Sequence, residues 1–301
     1  PVWKMCLWLA VSTSGFYDWL KRPQSATAAR REVLAGRIRY LFTASDGTYG
    51  YRRIHADLAA ESIKCSPELV RQIMRQEALV PCQPRPFRVT TQSDAQAAAD
   101  MPDLLKRDFS AERPGAKFVG DITYIHTWQG FIYLSTVIDC YSKKVIAYTM
   151  GDNFKTPLIS TAIRRAARNE HLAPRAIFHT DRGSNHTSHE FGKVLAGVDL
   201  RRLMGCTRIR NDNAMAESFV AALKNELRNR ATYPTRAAAM KDIARYIETR
   251  DNPRRLPSAR RYRPPNEVHD AYRSHQIAAQ QRQNHRPRSS EQITRLTSGN
   301  L

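Results

Sequence analysis

The hydrophobic pattern changes along the chain, from helical spacing in the first third to strand-like runs after residue 114. The runs KFVGDITYIHT, GFIYLSTVID and KKVIAYTM are rich in β-branched and aromatic residues and follow one another with short gaps. Beyond them come a helical pattern, a strand AIFHT, a helix SHEFGKVLA, a strand VDLRRL and a helix NDNAMAESFVAALKNELRNR. This order predicts an α/β fold in which a mixed five-stranded sheet carries flanking helices.

Two helices of this region have terminal signals in the sequence. Thr156 is the predicted N-cap of the first helix, with Pro157 next to it. Thr187 to Glu190 form a capping-box pattern that opens the second helix, and Gly197 ends it.

Residues 1–92 have a helical pattern that ends in two short helices joined by a tight turn. Ser66 is a predicted N-cap, and Pro67 takes the first helical position after it. The apolar and polar positions of this helix fall on opposite faces: Val70, Ile73 and Met74 inward, and Arg71, Gln72 and Arg75 outward. The pattern fits a DNA-binding helix-turn-helix, and it fits equally an ordinary helical bundle with a solvated face.

These changes of pattern predict four segments. Residues 1–92 form a helical region with the helix-turn-helix, and residues 93–113 form a linker. Residues 114–272 form the α/β domain. Residues 273–301 are rich in arginine and poor in apolar side chains, which predicts a basic, flexible tail.

Composition adds an expected partner. The chain has 301 residues and a formal net charge of +20, so a polyanion, most commonly nucleic acid, is the expected partner. Its five cysteines show neither zinc-ligand spacing nor a disulfide framework, which fits a reducing cytosol. No apolar run approaches the roughly 18 residues of a membrane span.

Three acids stand out against this basic background. Asp121 lies in the middle of a predicted strand, Asp181 directly follows another, and Glu217 lies near the start of the last helix of the sheet region. Each has an ordinary alternative: an ion pair with an arginine, a turn residue, and a first-turn acid that favours the helix dipole. Together they can converge on one cleft. Carboxylate oxygens are the ligands that Mg²⁺ prefers, and a pair of such ions supports phosphoryl transfer.

Other polar residues near these acids have more modest interpretations. Helical spacing places Lys224 and Arg228 on the same stripe as Glu217. Asp139 ends a predicted strand and is interpreted as a structural turn acid. His126 and His179 are interpreted as packing residues, because Mg²⁺ disfavours imidazole. Trp128 and Tyr133 are interpreted as core or edge aromatics.

The motifs DITYI, DRGSNHTSHEF and AESFVAALKNEL together resemble the catalytic core of DDE transposases and retroviral integrases, in particular the insertion sequence three family of bacterial transposases. The 35 residues between Asp181 and Glu217 match the spacing of that family, and Lys224 matches its basic position seven residues after the glutamate. The segments VSTSGFYDWLKR and GTYGYRRIHADL resemble the region that precedes its core. Two departures are Phe118 in place of the usual tryptophan, and a C-terminal segment TRDNPRRLPSARRYRPPNEV that differs from the family pattern.

The resemblance implies an RNase H-like core in which Asp121, Asp181 and Glu217 bind Mg²⁺, for which Mn²⁺ can substitute. It implies cleavage of one DNA strand at the ends of a mobile element, followed by attack of the freed 3′-hydroxyl on another phosphodiester. Lys224, Arg228 and Arg182 would contact phosphates. The implied partners are double-stranded DNA, as terminal inverted repeats and target, further copies of the chain on that DNA, and the product of an upstream reading frame. The implied location is the cytoplasm, on the nucleoid.

Two other functions remain open from the sequence. A catalytically decayed protein could keep the fold and bind DNA without cutting it. A different RNase H-like nuclease, such as a junction resolvase, would cut DNA without joining strands. The helical region before the core and the 35-residue spacing argue against the nuclease.

Overall fold

The computed structural model describes residues 1–82, 110–180, 189–204, 214–227 and 231–284. The chain divides into two compact units, Pro1–Cys82 and the remainder. Within the described residues, no helix is both long and apolar enough to cross a membrane. The four cysteines described there, Cys6, Cys65, Cys82 and Cys140, are free thiols.

The first unit is helical, as the sequence predicts. Its helices are α1 (Val2–Trp8), α2 (Thr13–Lys21), α3 (Ala26–Ala44), α4 (Tyr51–Ala60) and α5 (Pro67–Gln76). Helices α3, α4 and α5 pack against one another. Their core consists of side chains with almost no exposed surface, including Ile38, Ile54, Leu58, Val70 and Ile73. Burial of these side chains supplies the driving force for the three-helix arrangement.

Helix α5 begins with the predicted cap and has the predicted faces. The Ser66 hydroxyl accepts a hydrogen bond from the Leu69 N–H at 3.1 Å, and Pro67 follows at the first turn. This cap satisfies one of the N–H groups that the first turn leaves without a partner. Val70, Ile73 and Met74 are buried, while Arg71, Gln72 and Arg75 are exposed. The exposed side chains are therefore available on the outer face of the second helix of a helix-turn-helix.

Asp57 in α4 makes the stability of the first unit depend on pH. Burial, with a smaller contribution from Glu61, raises the pKa of the Asp57 carboxyl from 3.8 to about 6. The folded state then holds a proton that the unfolded chain has lost, so stability falls as pH rises from about 4 to about 6. We expect Asp57→Asn to raise the free energy of unfolding at pH 7 by about 1 kcal/mol, a figure reduced because the carboxyl is only half-buried.

Urea unfolding of the full chain at several pH values measures this effect. The gain from Asp57→Asn should shrink as pH is lowered from 7 to 4, because Asn resembles the protonated acid. Asp18→Asn, at an exposed acid of α2, is the matched control and should change little at either pH. A gain of equal size at both pH values would contradict the assignment.

The second unit is built on the predicted mixed five-stranded sheet. Its strands are β1 (Lys117–Thr127), β2 (Gly130–Asp139), β3 (Val145–Gly151), β4 (Ala176–Thr180) and β5 (Leu200–Met204). The spatial order is β3-β2-β1-β4-β5. β1 pairs with β2, and β2 with β3, in antiparallel fashion, whereas β1 pairs with β4, and β4 with β5, in parallel. β1 and β4 are thus adjacent although 48 residues separate Thr127 from Ala176 in the chain.

Helices cover both faces of the sheet. On one face lie α6 (Thr156–Asn169) and α7 (His189–Ala196), in a core with Phe118, Val137 and Phe178. On the other lie α8 (Ala214–Glu226) and α9 (Arg236–Arg245), in a core with Val119, Ile125 and Leu134. The alternation of residues 118 and 119 between the two cores follows from the two-residue period of a strand.

Helix α6 corrects one detail of the sequence prediction. Thr156 is the first residue of the helix, and the N-cap is Lys155, which makes no capping hydrogen bond through its side chain. Pro157 has no N–H to be capped, and its ring fixes a helical φ. The helix can therefore start one residue earlier than a threonine cap would place it. The helix α7 is present and Gly197 follows its last residue, as predicted, whereas Thr187 and Ser188 lie outside the described residues.

The outer edge of the sheet, strand β3, is closed by side chains. Asn252 accepts from the Val145 N–H and donates to the Val145 carbonyl, both at 2.9 Å. Asn169 donates to the Ile146 carbonyl at 3.1 Å, and Arg165 to the Tyr148 carbonyl at 3.0 Å. These bonds use backbone groups that would otherwise attract another strand.

The C-terminal part is more ordered than the sequence predicts. After α9 come a π-helix at Tyr246–Asp251, a short 3₁₀-helix at Ser258–Arg260 and helix α10 at Pro265–Asn284. Residues 273–284, which the sequence assigns to the start of the basic tail, are helical and belong to α10. The stretch contains no glycine or proline and is rich in alanine, glutamine and arginine, which favour helix. Its composition alone had suggested disorder.

Candidate active site

Asp121 lies in the central part of β1, where neighbouring strands and a helix constrain it. Its Cα is paired with that of Thr136 on β2, and the residue is half-buried. The two-residue period places it on the same face as Val119 and Ile125, which belong to the core beneath α8 and α9. Its carboxylate therefore lies on the face of the sheet that α8 covers.

Strand β4 ends beside Asp121. β4 pairs in parallel with β1, with Lys117 opposite Ile177, Phe118 opposite Phe178 and Val119 opposite His179. Parallel strands run to the same end of the sheet, so Thr180, the last residue of β4, is at the level of the β1 segment that carries Asp121. Asp181 and Arg182, which follow it in the sequence, lie outside the described residues.

Gly120 allows β1 and β4 to approach closely beside Asp121. A Cβ at this position would lie 2.3 Å from Cζ of Phe178, which no side-chain contact permits. The Phe178 ring on β4 therefore packs directly over the β1 backbone at the residue before Asp121. Only glycine accommodates this contact without a shift of the strand.

Glu217 lies in the first turn of α8 and is exposed. Three buried residues hold this helix on the sheet: Ala216, Phe219 and Leu223, which share a core with Val119 and Ile125. Glu217 and Lys224 are seven residues apart, two helical turns, and so lie on one side of α8. Arg228, the next residue on that stripe, lies outside the described residues.

Two contacts fix the direction of α8 relative to β1. Near its start, the Lys143 ammonium donates to Sδ of Met215 at 3.0 Å and to the Cys140 carbonyl at 2.8 Å. Cys140 in turn is hydrogen-bonded to Lys117, the first residue of β1. Near the other end of the helix, Nζ of Lys224 lies 5.2 Å from the centre of the Tyr124 ring. The helix and strand therefore run in the same direction, with Glu217 and Asp121 both between these contacts.

Lys143 is a residue whose position sequence reasoning did not anticipate. It lies in the turn between β2 and β3, where partial burial lowers the pKa of its ammonium group. The left-handed conformation of its backbone, with φ of 67°, turns the side chain back under α8. A lysine next to a serine in a short turn carries no sequence signal for such a contact.

Asp139 is a structural residue, as the sequence suggested. Its carboxylate accepts hydrogen bonds from the Ser142 N–H and hydroxyl, both at 2.7 Å, and from the Gly115 N–H at 3.0 Å. The side chain is fully buried. Its oxygens hold the turn between β2 and β3, which confirms the turn-acid interpretation.

The neighbouring rings divide between buried and exposed positions. His179 is buried within β4, whereas the exposed His126 packs edge-on against Phe131, with ring centres 5.5 Å apart. Trp128 is 72% exposed, which excludes the core position among its two interpretations. It lies in the β1–β2 turn, where its N–H donates to the Tyr233 carbonyl at 3.0 Å.

The donor chemistry of this site suits a hard divalent cation. The two described acids offer carboxylate oxygens on one face of the sheet, and Mg²⁺ binds oxygen ligands. No group of three or more histidines, cysteines or acids suited to a metal occurs among the described residues, a set that does not include Asp181. Asp121 thus lies on the sheet face that α8 covers, Glu217 lies in the first turn of α8, and Asp181 is the next residue in the sequence after β4.

Comparison with known proteins defines the class of this fold. Residues 111–209 match the family described as "Integrase core domain", and residues 29–87 match "HTH-like domain". The chain is 33% identical over 246 residues to the transposase for insertion sequence element IS904 of Lactococcus lactis, covering 82% of this chain and 97% of that protein. It is 30% identical to transposase InsF for insertion sequence IS3A of Escherichia coli, covering 81% and 85% of the two chains.

These matches show an integrase-type polynucleotidyl transferase with a preceding helix-turn-helix-like domain. The chain belongs to the IS3 family of insertion-sequence transposases, and its function is DNA transposition. Among solved structures, the HTLV-2 integrase catalytic core domain in complex with magnesium is similar at 14% identity and a TM-score of 0.41, covering 53% of this chain and 99% of that one.

Proposed function

We propose that the chain cleaves one DNA strand at each end of its mobile element and joins the freed 3′-hydroxyl to target DNA, using Asp121, Asp181 and Glu217 as ligands for Mg²⁺. Mn²⁺ would substitute for Mg²⁺. The observation that carries this proposal is that Asp121 on β1 and Glu217 on α8 occupy one face of the sheet, beside the end of β4. The residue after the last one of β4 is Asp181.

The protein would contribute positioning and charge. Bound divalent ions would supply Lewis acidity for the attacking and leaving oxygens of an in-line displacement. The three carboxylates would hold those ions on strands and a helix that packing fixes in place, and Lys224, Arg228 and Arg182 would hold the phosphates of the bound strand. Water would be the attacking group in cleavage and the 3′-hydroxyl in strand transfer, with the same residues serving both steps.

The assay is cleavage and joining of a labelled duplex that carries the terminal repeat of the element. With Mg²⁺ the chain should nick the repeat and then join it to a second duplex, and EDTA should abolish both products. A nick without a joined product would favour a plain nuclease. Binding that persists in EDTA, without cleavage under any divalent ion, would favour a decayed DNA-binding protein.

Helix α5 is proposed to read the terminal repeat in the major groove, through Arg71, Gln72 and Arg75. These side chains differ in what they contact within the unit. Arg71 forms a two-point ion pair with Glu68, at 2.8 Å for both bonds, and Gln72 reaches the same carboxylate at 3.4 Å. Arg75 is on the same exposed face, one turn after Arg71.

Arg75→Ala should weaken duplex binding more than Arg71→Ala does. Arg71 must give up its ion pair with Glu68 to contact DNA, so its net contribution is smaller. We expect Arg75→Ala to weaken binding several-fold and to lower the salt slope of log K by about 1, as loss of one phosphate contact would. Fluorescence anisotropy at several salt concentrations measures both quantities. An unchanged slope and affinity would remove Arg75 from the interface.

The expected assembly follows from the chemistry. Two element ends must be brought to one target, so we propose that several copies of the chain act together on DNA. Association or fusion with an upstream-frame helix-turn-helix protein is part of the same proposal. The proposed place of action is the cytoplasm, on the nucleoid, where the element's DNA lies. Size-exclusion chromatography with light scattering, with and without the terminal repeat, tests the assembly.

A further inference from the structure

Four rings lie together on the β1–β2 hairpin, on the face of the sheet opposite α8, and a fifth ring joins them from the segment between β3 and α6. They form what we term the aromatic face, made of Tyr124, His126, Phe131, Tyr133 and Phe154. Tyr124 is directly opposite Tyr133, and His126 opposite Phe131, in the antiparallel pairing. Ring centres are 5.3 Å apart for Tyr124 and Phe131 and 5.3 Å apart for Tyr133 and Phe154. The rings are therefore ordered by their neighbours before anything binds to them.

The aromatic face is open because the helices on that side cover only part of the sheet. Helices α6 and α7 pack over the part that contains Phe118, Val137 and Phe178. Further along the hairpin, Tyr124 is 58% exposed and Phe131 43%, and Phe154, which packs against Tyr133, is 51% exposed. Contiguous exposed rings of this kind are unusual on a soluble protein and generally mark a binding surface.

The aromatic face meets the candidate active site around one edge of β1, because among the described residues β1 pairs with β4 only from Lys117 to Val119. Tyr124 follows Asp121 by three residues, about 10 Å at ~3.3 Å per residue, and lies on the other side of the strand. Lys224, which shares a side of α8 with Glu217, places its ammonium group over the Tyr124 ring. One strand of DNA held at the carboxylates would therefore have its neighbouring nucleotides within reach of these rings.

We propose that the aromatic face stacks unpaired DNA bases next to the phosphate that reacts, an inference that rests on the proposed function. In a duplex, bases stack on one another and present only their edges to the grooves, so flat aromatic side chains have little to bind. Unpaired bases expose their faces, and base–aromatic stacking is insensitive to sequence. Lys224 beside Tyr124 and the exposed Lys155 after Phe154 supply positive charge for the backbone of such a strand.

The charge of the surroundings favours DNA over a second protein surface as the occupant. The chain carries a net charge of +20, so two copies would repel each other at long range, whereas a DNA strand would be attracted. An exposed acid, Asp152, lies near Phe154, and its carboxylate accepts from Asn153 at 2.9 Å. One such acid does not reverse the charge around the rings.

The test compares two labelled single strands of equal length, (dT)20 and an abasic strand that keeps the phosphates but lacks bases. Anisotropy is measured with the full chain in EDTA, so that no cleavage occurs. We expect the wild type to bind (dT)20 more tightly than the abasic strand. The double variant Tyr124→Leu/Phe131→Leu should lose about tenfold in affinity for (dT)20, with little change for the abasic strand.

Two control variants separate stacking from general damage. Tyr124→Phe keeps the ring and should bind (dT)20 as the wild type does. Tyr40→Leu removes a ring on α3 that is 59% exposed, nearly the same as Tyr124, and should leave the preference for bases unchanged. Near-ultraviolet and far-ultraviolet circular dichroism should show that each variant is folded.

Three results would overturn the inference. The double variant could bind both strands as well as the wild type, or it could lose affinity for both strands equally. Alternatively, light scattering could show that the wild type is a dimer and the double variant a monomer. The second result would indicate charge alone, and the third a contact between copies. The binding test uses no metal and therefore tests only the aromatic face. The proposed function is tested separately, and it would be contradicted if the wild type made no metal-dependent nick.

Discussion

Asp121→Asn is expected to reduce DNA cleavage and strand transfer by about a thousandfold or more while leaving duplex binding within about twofold. Asparagine has nearly the size of aspartate but lacks the charge that holds a divalent cation. Asp121 is half-buried and its strand is paired with β2 along its length, so the amide should be accommodated without loss of the fold. Asp181→Asn and Glu217→Gln should have effects of the same order.

The matched control for these variants is Glu190→Gln. Glu190 is an exposed acid in the first turn of α7, as Glu217 is in the first turn of α8. Its removal should leave cleavage within about twofold of the wild type, because α7 lies on the opposite face of the sheet. The rates come from nicking of the labelled terminal repeat in Mg²⁺ and in Mn²⁺, with thermal unfolding as the check on folding. If Asp121→Asn or Glu217→Gln cleaves at the wild-type rate, the proposed metal site is wrong.

Arg255→Met is expected to lower the free energy of unfolding by about 3–5 kcal/mol. Arg255 is largely buried between two buried acids, with its Nε 3.1 Å from Glu226 and 3.7 Å from Asp251. The Tyr246 hydroxyl donates to the other oxygen of Glu226 at 2.9 Å. Methionine would fill much of the volume but remove the Arg255 cation from beside both carboxylates. The loss of one partner of a buried ion pair is the source of the cost.

Two comparisons isolate that cost by urea unfolding. The double variant Arg255→Met/Glu226→Leu should recover part of the loss, because one of the two buried carboxylates is then absent. Arg263→Met removes a surface pair with Glu267, where both side chains are about half exposed, and should cost less than about 1 kcal/mol. A loss for Arg255→Met no larger than that for Arg263→Met would show that the buried group contributes little.

This buried group also connects the C-terminal segment to the candidate active site. Glu226 is the last residue of α8, nine residues after Glu217 on the same helix. Asp251, Arg255 and Leu256 come from the part of the sequence that departs from the family pattern, yet they are buried. We therefore expect Arg255→Met to lower cleavage as well as stability, through displacement of α8, whereas Asp121→Asn lowers cleavage alone.

The sequence alone determined the order of elements and singled out the three acids that we propose as metal ligands. Alternation of apolar residues predicted the strands of the mixed sheet, and helical spacing predicted the inward and outward faces of α5, since both patterns depend only on local geometry. The spacing of Asp181 and Glu217, with Lys224 beyond, indicated the transposase family that the comparisons then showed. Net charge indicated nucleic acid as the partner, because net charge follows from composition alone and does not depend on which side chains are in contact.

The tertiary structure decided the contacts between residues far apart in the chain. The placement of Phe178 over Gly120, of Lys143 beneath Met215, and of Arg255 between Glu226 and Asp251 depends on packing that no local pattern encodes. The same holds for the aromatic face: alternation along β1 shows which side Tyr124 is on, but only the extent of α6 and α7 leaves that side uncovered. Burial and long-range contact arise from how elements cover one another, which is a property of the whole fold and not of any one segment.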